Sequence, residues 1–196
     1  MWDFLALVTI MIWPAIPIFW IPLHFATDFF SKLGLLTYVM PLIIWLPLAY
    51  LVYRHRVSLL QLKAELPLIL NVVGIPFFIC GTLLHVWTAR LLGIWGIIGV
   101  PEIYRETEEK LVTEGPFSIV RHPTYLAHTL IFSGVFLITE SVVVGIIAVI
   151  DFVIVNAVII PLEEKELLKR FGDDYKLYKE RIPSRFFPGI NRVNRR

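Results

Sequence analysis

Residues 123–162 read PTYLAHTLIFSGVFLITESVVVGIIAVIDFVIVNAVIIPL, two apolar runs separated only by Glu140 and Ser141. A bilayer core takes about 20 apolar residues per helix, so Ser141–Leu162 has spanning length and Pro123–Thr139 sits at the short limit. A two-residue link forces the pair into an antiparallel hairpin. The polar segments flanking it, before Pro123 and after Leu162, therefore emerge on one side and can build one site.

Working outward, three more runs have spanning length: Phe4–Leu23, Leu33–Tyr53 and Leu66–Trp87. The expected fold is all-α, a polytopic membrane helix bundle of about five transmembrane helices, with the C-terminal hairpin leading to a cytosolic pocket. Composition agrees: of 196 residues 57% are apolar and 17% charged, against roughly a quarter charged in soluble domains. The charges are clustered, with 24 of 34 in residues 102–121 and 163–196. Across five spans Lys and Arg divide 15 to 3 in favour of the side carrying the C-terminus, which the positive-inside rule assigns to the cytosol. Met1-Trp2-Asp3 has no basic leader region and no small-residue cleavage site follows, so the first run reads as a retained span.

Several chemistries are excluded. A net charge of +2 gives no reason to expect nucleic acid, and the single Cys80 forbids an internal disulfide or a multi-thiolate metal site. No two of His24, His55, His85, His122 and His128 are three or four residues apart, so no metal site is expected. There is no G-x-S-x-G elbow. Gly93–Pro101 is too short to cross and reads as an interfacial or re-entrant connector. The prolines of the first three spans read as helix kinks, and there is no internal repeat.

Two motifs remain. Pro123 suits the first turn of a helix, which puts Arg121 and His122 at a helix mouth whose backbone N–H groups and dipole favour an anion. Each residue alone has a plainer reading, Arg121 reaching to headgroups and His122 capping the helix. At the far end, Pro161 restarts a helix with Glu163 and Glu164 in its first turn, Glu166 can pair with Arg170, and Gly172 ends it. Asp173 or Asp174 then caps a short helix that stops before Pro183. Adjacent residues on a helix point about 100° apart, so one ligand reaches both glutamates only by wrapping the corner. Asp151 and Asn156 inside the last span read as interhelical hydrogen-bonding groups, with Asp151 a secondary functional candidate. Trp87, Trp95, Tyr104, Phe186 and Phe187 are expected at the membrane interface.

The ordered string Lys110-Leu111-Val112-x-x-Gly115-Pro116-Phe117-x-x-Val120-Arg121-His122-Pro123-x-Tyr125, then the hairpin, Glu163-Glu164-x-x-Leu167, Phe171-Gly172-x-x-Tyr175-x-x-Tyr178 and Arg181-Ile182-Pro183-x-Arg185-Phe186-x-Pro188 resembles the isoprenylcysteine carboxyl methyltransferase and phospholipid methyltransferase superfamily. The resemblance covers roughly residues 87–188. It implies an N-terminal part of three spans, 1–92, and a methyltransferase core, 93–196. It also implies S-adenosylmethionine as methyl donor, held by Gly115, Pro116, Phe117, Arg121, His122, Tyr125, Glu163 and Glu164. Arg181 and Arg185 fall where carboxyl-methylating members place substrate-side arginines. The implied partners are a lipophilic or prenylated acceptor and membrane lipids. Family members usually carry glycine at the position of Ala127, and commonly a basic residue at that of Ile159; both departures bear on subgroup. A phospholipid amine N-methyltransferase, an NADPH-dependent enone or sterol reductase with a similar Arg-His-Pro and Gly-x-x-Tyr-x-x-Tyr pattern, and a non-catalytic scaffold or small transporter stand as alternatives.

Overall fold

The computed structural model describes residues 2–103 and 110–187. Tyr104, Pro188 and the tail arginines beyond residue 187, all weighed above, lie outside the described residues, as do the side chains of Ile94, Ile97, Pro101 and Glu102. Among the described residues the chain is helical apart from loops and one isolated bridge.

Four helical segments are long and apolar enough to cross a membrane: Trp2–Phe25, Thr27–Arg54, Leu68–Gly93 and Val142–Phe171. Pro123–Thr139 is a shorter apolar helix. The first segment comprises α1 (Trp2–Ile12) and α2 (Ala15–Phe25), broken at Trp13-Pro14. The second comprises α3 (Thr27–Leu33), a 3₁₀ turn (Gly34–Tyr38) and α4 (Val39–Arg54), followed by α5 (Arg56–Leu60). The long α6 (Leu68–Ile97) departs from helical geometry at Gly93, where φ is 70° and ψ 170°, before α7 (Val100–Ile103). The connector expected over Gly93–Pro101 is thus a bent helical end, with a second positive-φ glycine at Gly99. A 3₁₀ turn (Gly115–Ser118) leads to α8 (Pro123–Thr139) and α9 (Val142–Ile154).

The hairpin forms as its two-residue link demands. Glu140 takes the left-handed conformation at the end of α8, φ 56°, and Ser141 caps α9 by accepting from Val144 N at 3.5 Å. The loop before α6 grips this turn: Ala64 N donates to Glu140 O at 2.7 Å and Val142 N to Leu62 O at 3.0 Å. Lys63 Nζ adds bonds to Thr139 O and Asp3 Oδ1.

At the other end the helix does not restart at Pro161. It runs from α9 through a π-helical turn, Val155–Ile159, into α10 (Ile160–Phe171). Pro161 has no N–H for the carbonyl four residues back and its ring crowds that carbonyl, so the helix widens just ahead of it. Gly172, φ 53°, ends α10 as expected, and α11 (Asp173–Arg181) follows. Neither aspartate caps α11 with a side-chain bond; Asp173 instead pairs with Lys176 at 2.7 Å.

Helices α6 and α8 form the tightest seam. A Cβ on Gly134 would stand 2.5 Å from Phe78 N, and one on Gly81 would stand 2.8 Å from Ile131 N. Small residues at helix contacts let backbones approach where apolar burial alone gives no drive between helices in lipid. Large apolar side chains elsewhere on α4 and α6 point outward, Ile43 at 65% and Leu68 at 78% exposure. Their outward aim is what a hydrocarbon solvent demands and water forbids. Inside the bundle Trp13 Nε1 donates to Asp151 Oδ1 at 2.9 Å, so the interhelical role expected of Asp151 is present. Asn156 differs, returning its amide to Phe152 O on its own helix at 2.9 Å.

Candidate functional site

The hairpin brings the helix mouth of α8 and the first turns of α10 together. Glu164, 6% exposed, lies at the centre. Arg121 donates to its Oε1 through Nε at 3.1 Å and Nη2 at 2.8 Å. Lys179 from α11 and Arg185 reach Oε2 at 3.3 and 3.2 Å. A carboxylate taken from water costs several kcal/mol unless its lone pairs are satisfied, and here three cations satisfy them.

Arg121 is equally committed. Its Nη1 donates to Ile182 O and Pro183 O at 2.7 and 2.8 Å, while the backbone N–H groups of Arg121 and His122 donate to Ser184 O and Arg185 O, both at 3.0 Å. The segment after α11 is thereby strapped over the mouth of α8. Arg121 neither snorkels nor presents its guanidinium to an incoming anion; it is the clasp of the strap.

His122 bridges the two glutamates. Its Nδ1 lies 3.4 Å from Glu163 Oε2 and its Nε2 3.3 Å from Glu164 Oε1. It occupies the position before α8 without a side-chain cap bond, so the capping alternative is not what forms. Burial opposes its protonation, but the flanking Glu163 and Glu164 outweigh that and raise its pKa. The imidazole thus solves the corner problem posed by adjacent glutamates, touching one with each nitrogen. The two acids are not equivalent. Glu164 is saturated by Arg121, Lys179, Arg185 and His122, whereas Glu163 pairs with His122 alone among these, and its side chain is 24% exposed. Tyr125, 6% exposed, stacks on His122 with ring centroids 6.0 Å apart.

Gly115 has φ 59°, and a Cβ there would press Leu91 Cδ1 at 2.8 Å and Trp87 Nε1 at 3.3 Å. Glycine is demanded both by conformation and by the close approach of α6. Pro116 and Phe117 are buried behind it. Tyr178 Oη donates to Phe117 O at 2.8 Å, and burial pushes that phenol up to about 12, so it stays a donor.

Arg181 and Arg185, which the resemblance places on the substrate side, part company. Arg185 joins the Glu164 cluster with its side chain 43% exposed. Arg181 lines a separate cavity of about 460 Å³ bounded by Lys110, Phe171, Asp174 and Leu177. Among the aromatics expected at the interface, Trp87, Trp95 and Phe187 are exposed, but Phe186 is 4% exposed and packs with Tyr125, Val155 and Ile159. The strap turns Phe186 inward as the plug of its own underside.

Two participants were not legible. Lys179 reads in sequence as one more charge on a polar helix. His24, on α2, is 6% exposed and lies within electrostatic reach of Glu163 and His122; the only signal was an imidazole in an otherwise apolar run.

Residues 69–174 match the family model described as phospholipid methyltransferase. The chain belongs to the phospholipid methyltransferase family. The family segment runs from α6 to the start of α11 and holds Arg121, His122, Glu163 and Glu164. A protein-S-isoprenylcysteine O-methyltransferase of Arabidopsis thaliana is 34% identical over 115 residues, 57% of this chain and 56% of that one. A phosphatidylethanolamine N-methyltransferase of Dictyostelium discoideum is 26% identical over 125 residues, covering 61% and 62%. A nickel-cobalt-cadmium resistance protein of Alcaligenes xylosoxydans xylosoxydans is 26% identical over 156 residues, covering 74% and 70%. The matches take in 56% to 70% of the length of these curated relatives. No solved structure matches the chain.

Proposed function

We propose that the protein is an integral-membrane, S-adenosylmethionine-dependent methyltransferase that forms carboxyl methyl esters on a lipid-like or prenylated acceptor, with the site and C-terminus in the cytosol. The observation that carries the reading is the buried chain Glu163–His122–Glu164 at the polar end of the hairpin.

The residues fit the donor. Glu163 pairs with one cation, His122, where Glu164 meets four, and so keeps acceptor capacity for a ligand amine or hydroxyl. Glu163 would hold a polar group of the donor, with His122 and Tyr125 beside it and Gly115 to Phe117 forming the wall. When bound, S-adenosylmethionine supplies a methyl group on a sulfonium for in-line displacement. Methyl transfer needs the nucleophile held in line and water kept out. Glu164 and Arg121 fix the strap that closes the site, and Phe186 seals its underside. A carboxylate nucleophile requires no base. Three cations converge on Glu164, leaving positive charge that favours a carboxylate acceptor, and the half-exposed Arg185 is the one placed to steer it. Arg181, in its own cavity, would act on a more distant part of the acceptor.

Titration calorimetry on detergent-solubilised protein tests the donor directly. S-adenosylmethionine and its demethylated product should bind and NADPH should not; stabilisation by NADPH alone would sink the reading and favour the reductase. Labelled-methyl transfer to a lipid extract then tests the product, since esters release label in base and methylated amines keep it. Base-stable label would move the assignment to phospholipid amine methylation.

A further inference from the structure

The family match begins at residue 69, so α1 to α5 lie outside it. Yet α2 packs on α10 and on the π-helical turn, and Trp20 of α2 joins the apolar group around Tyr125, Val155 and Phe186. One turn further along, His24 stacks on Trp20 with centroids 5.2 Å apart and rings within 16° of parallel. The stack fixes the imidazole, and 94% of the residue is hidden from solvent (6% exposed). Both Nδ1 and Nε2 are buried without a hydrogen-bond partner.

That arrangement is costly as it stands. An unpaired buried polar group forfeits its hydration without compensation, and here two such atoms sit on one ring. They also sit beside other unfinished polar groups. Glu163, paired with His122 Nδ1 at 3.4 Å and 24% exposed, is within electrostatic reach of His24, as are His122 and Arg170. The Tyr175 hydroxyl, which feels the charge of both carboxylates, is buried and unpaired as well. Buried polar atoms without a hydrogen bond on α2 and α11 thus both lie within electrostatic reach of the Glu163 carboxylate. A ligand with several hydroxyl, amine and carboxylate groups completes such a set in a single binding event.

We infer that His24 is a donor-contacting residue: the second helix, outside the family segment, reaches into the site, and its imidazole hydrogen-bonds S-adenosylmethionine beside Glu163. This rests on the methyltransferase reading above. The N-terminal spans are then part of the binding site, and a chain cut down to the family segment would lose donor affinity.

Two variants of the full chain test this. His24→Phe keeps the ring and its stack on Trp20 but removes both nitrogens; His24→Gln keeps a donor and an acceptor. Calorimetry with S-adenosylhomocysteine should show about tenfold weaker binding for His24→Phe and a smaller loss for His24→Gln, the order expected for one hydrogen bond in a buried site. The ligand-free thermal midpoint of His24→Phe should be equal to or above that of the unaltered protein, because the substitution removes unpaired buried nitrogens. A lowered midpoint with unchanged affinity would assign His24 a packing role only and overturn the inference. So would equal affinity in all three proteins. If the unaltered protein itself binds no S-adenosylhomocysteine, the failure belongs to the methyltransferase reading.

Discussion

The seam between α6 and α8 and the polar end of the hairpin are both buried, but they are held by opposite means. At the seam, Gly74, Gly81 and Gly134 remove side chains so that backbones touch. At the polar end, Glu164 gathers Arg121, Lys179, Arg185 and His122. The seam stabilises by fit and tolerates no added atom; the cluster stabilises by charge balance and tolerates no removed partner. In a bilayer, where apolar burial does not drive helices together, the seam sets which helices meet and the cluster sets how the polar ends are arranged.

The largest effect is expected from unbalancing the cluster. Glu164→Ala leaves Arg121 buried beside two more cations without a counter-charge, a loss of about 3–5 kcal/mol. Thermal unfolding in detergent should show a collapse of the midpoint and loss of donor binding together. Glu164→Gln keeps the acceptor oxygen and should fall between. Glu163→Gln, by contrast, should leave the midpoint nearly unaltered while weakening donor binding, because Glu163 is not what neutralises Arg121. Equal midpoints for Glu163→Ala and Glu164→Ala would erase the division of labour between them.

Adding an atom to the seam comes next. Gly134→Ala places a Cβ 2.5 Å from the backbone of Phe78, and overpacking of this kind costs about 1–3 kcal/mol. Gly145→Ala is the control. Its Cβ would first meet the Phe136 ring, at 2.8 Å, a side chain and not backbone, so its midpoint should move less.

A smaller, pH-dependent effect belongs to His122. Its folded-state pKa is raised above the ordinary 6.5 by Glu163 and Glu164 against the opposing effect of burial. A raised pKa stabilises the fold fully below the unfolded-state value, and that contribution is lost as pH rises through the folded-state value. The midpoint should therefore fall as pH climbs from about 6.5, and His122→Phe should flatten that part of the profile. The groups facing His122 are Glu163, Glu164, Tyr125 and, from α2, His24. An unchanged slope in the variant would mean that the bridge does not carry the proton.

What the sequence disclosed follows from what local spacing can encode. Glu140-Ser141 between two apolar runs dictates a hairpin, and a hairpin dictates that Arg121 and His122 meet Glu163 and Glu164. The same string could not say which acid is the hub, because that depends on Lys179 and Arg185 arriving from beyond Gly172, where the chain direction is set by a left-handed glycine. Nor could it say that Phe186 points inward, since its strap is fixed by carbonyls of Ile182 and Pro183 that carry no sequence identity. His24 was hidden for a different reason: Glu163, the carboxylate within its electrostatic reach, lies on α10, well over a hundred residues away, and one histidine in an apolar run has no local pattern.

Asp151 sharpens the comparison from the smallest end. It is a carboxylate buried in the apolar region, 2% exposed, with one neutral donor, Trp13 Nε1, in place of the cations that surround Glu164. An asparagine oxygen accepts that indole bond equally well and brings no charge into the hydrocarbon. Asp151→Asn should thus shift stability by no more than about 0.6 kcal/mol, the average for interhelical hydrogen bonds in a membrane, and leave donor binding intact. Asp151→Leu removes the acceptor and strands the Trp13 N–H, so it should be the worse of the two. If Asp151→Asn instead abolished methyl transfer with the fold preserved, the charge at this depth would be functional, and the line drawn between a charge-balanced site and an apolar scaffold would have to move into the membrane.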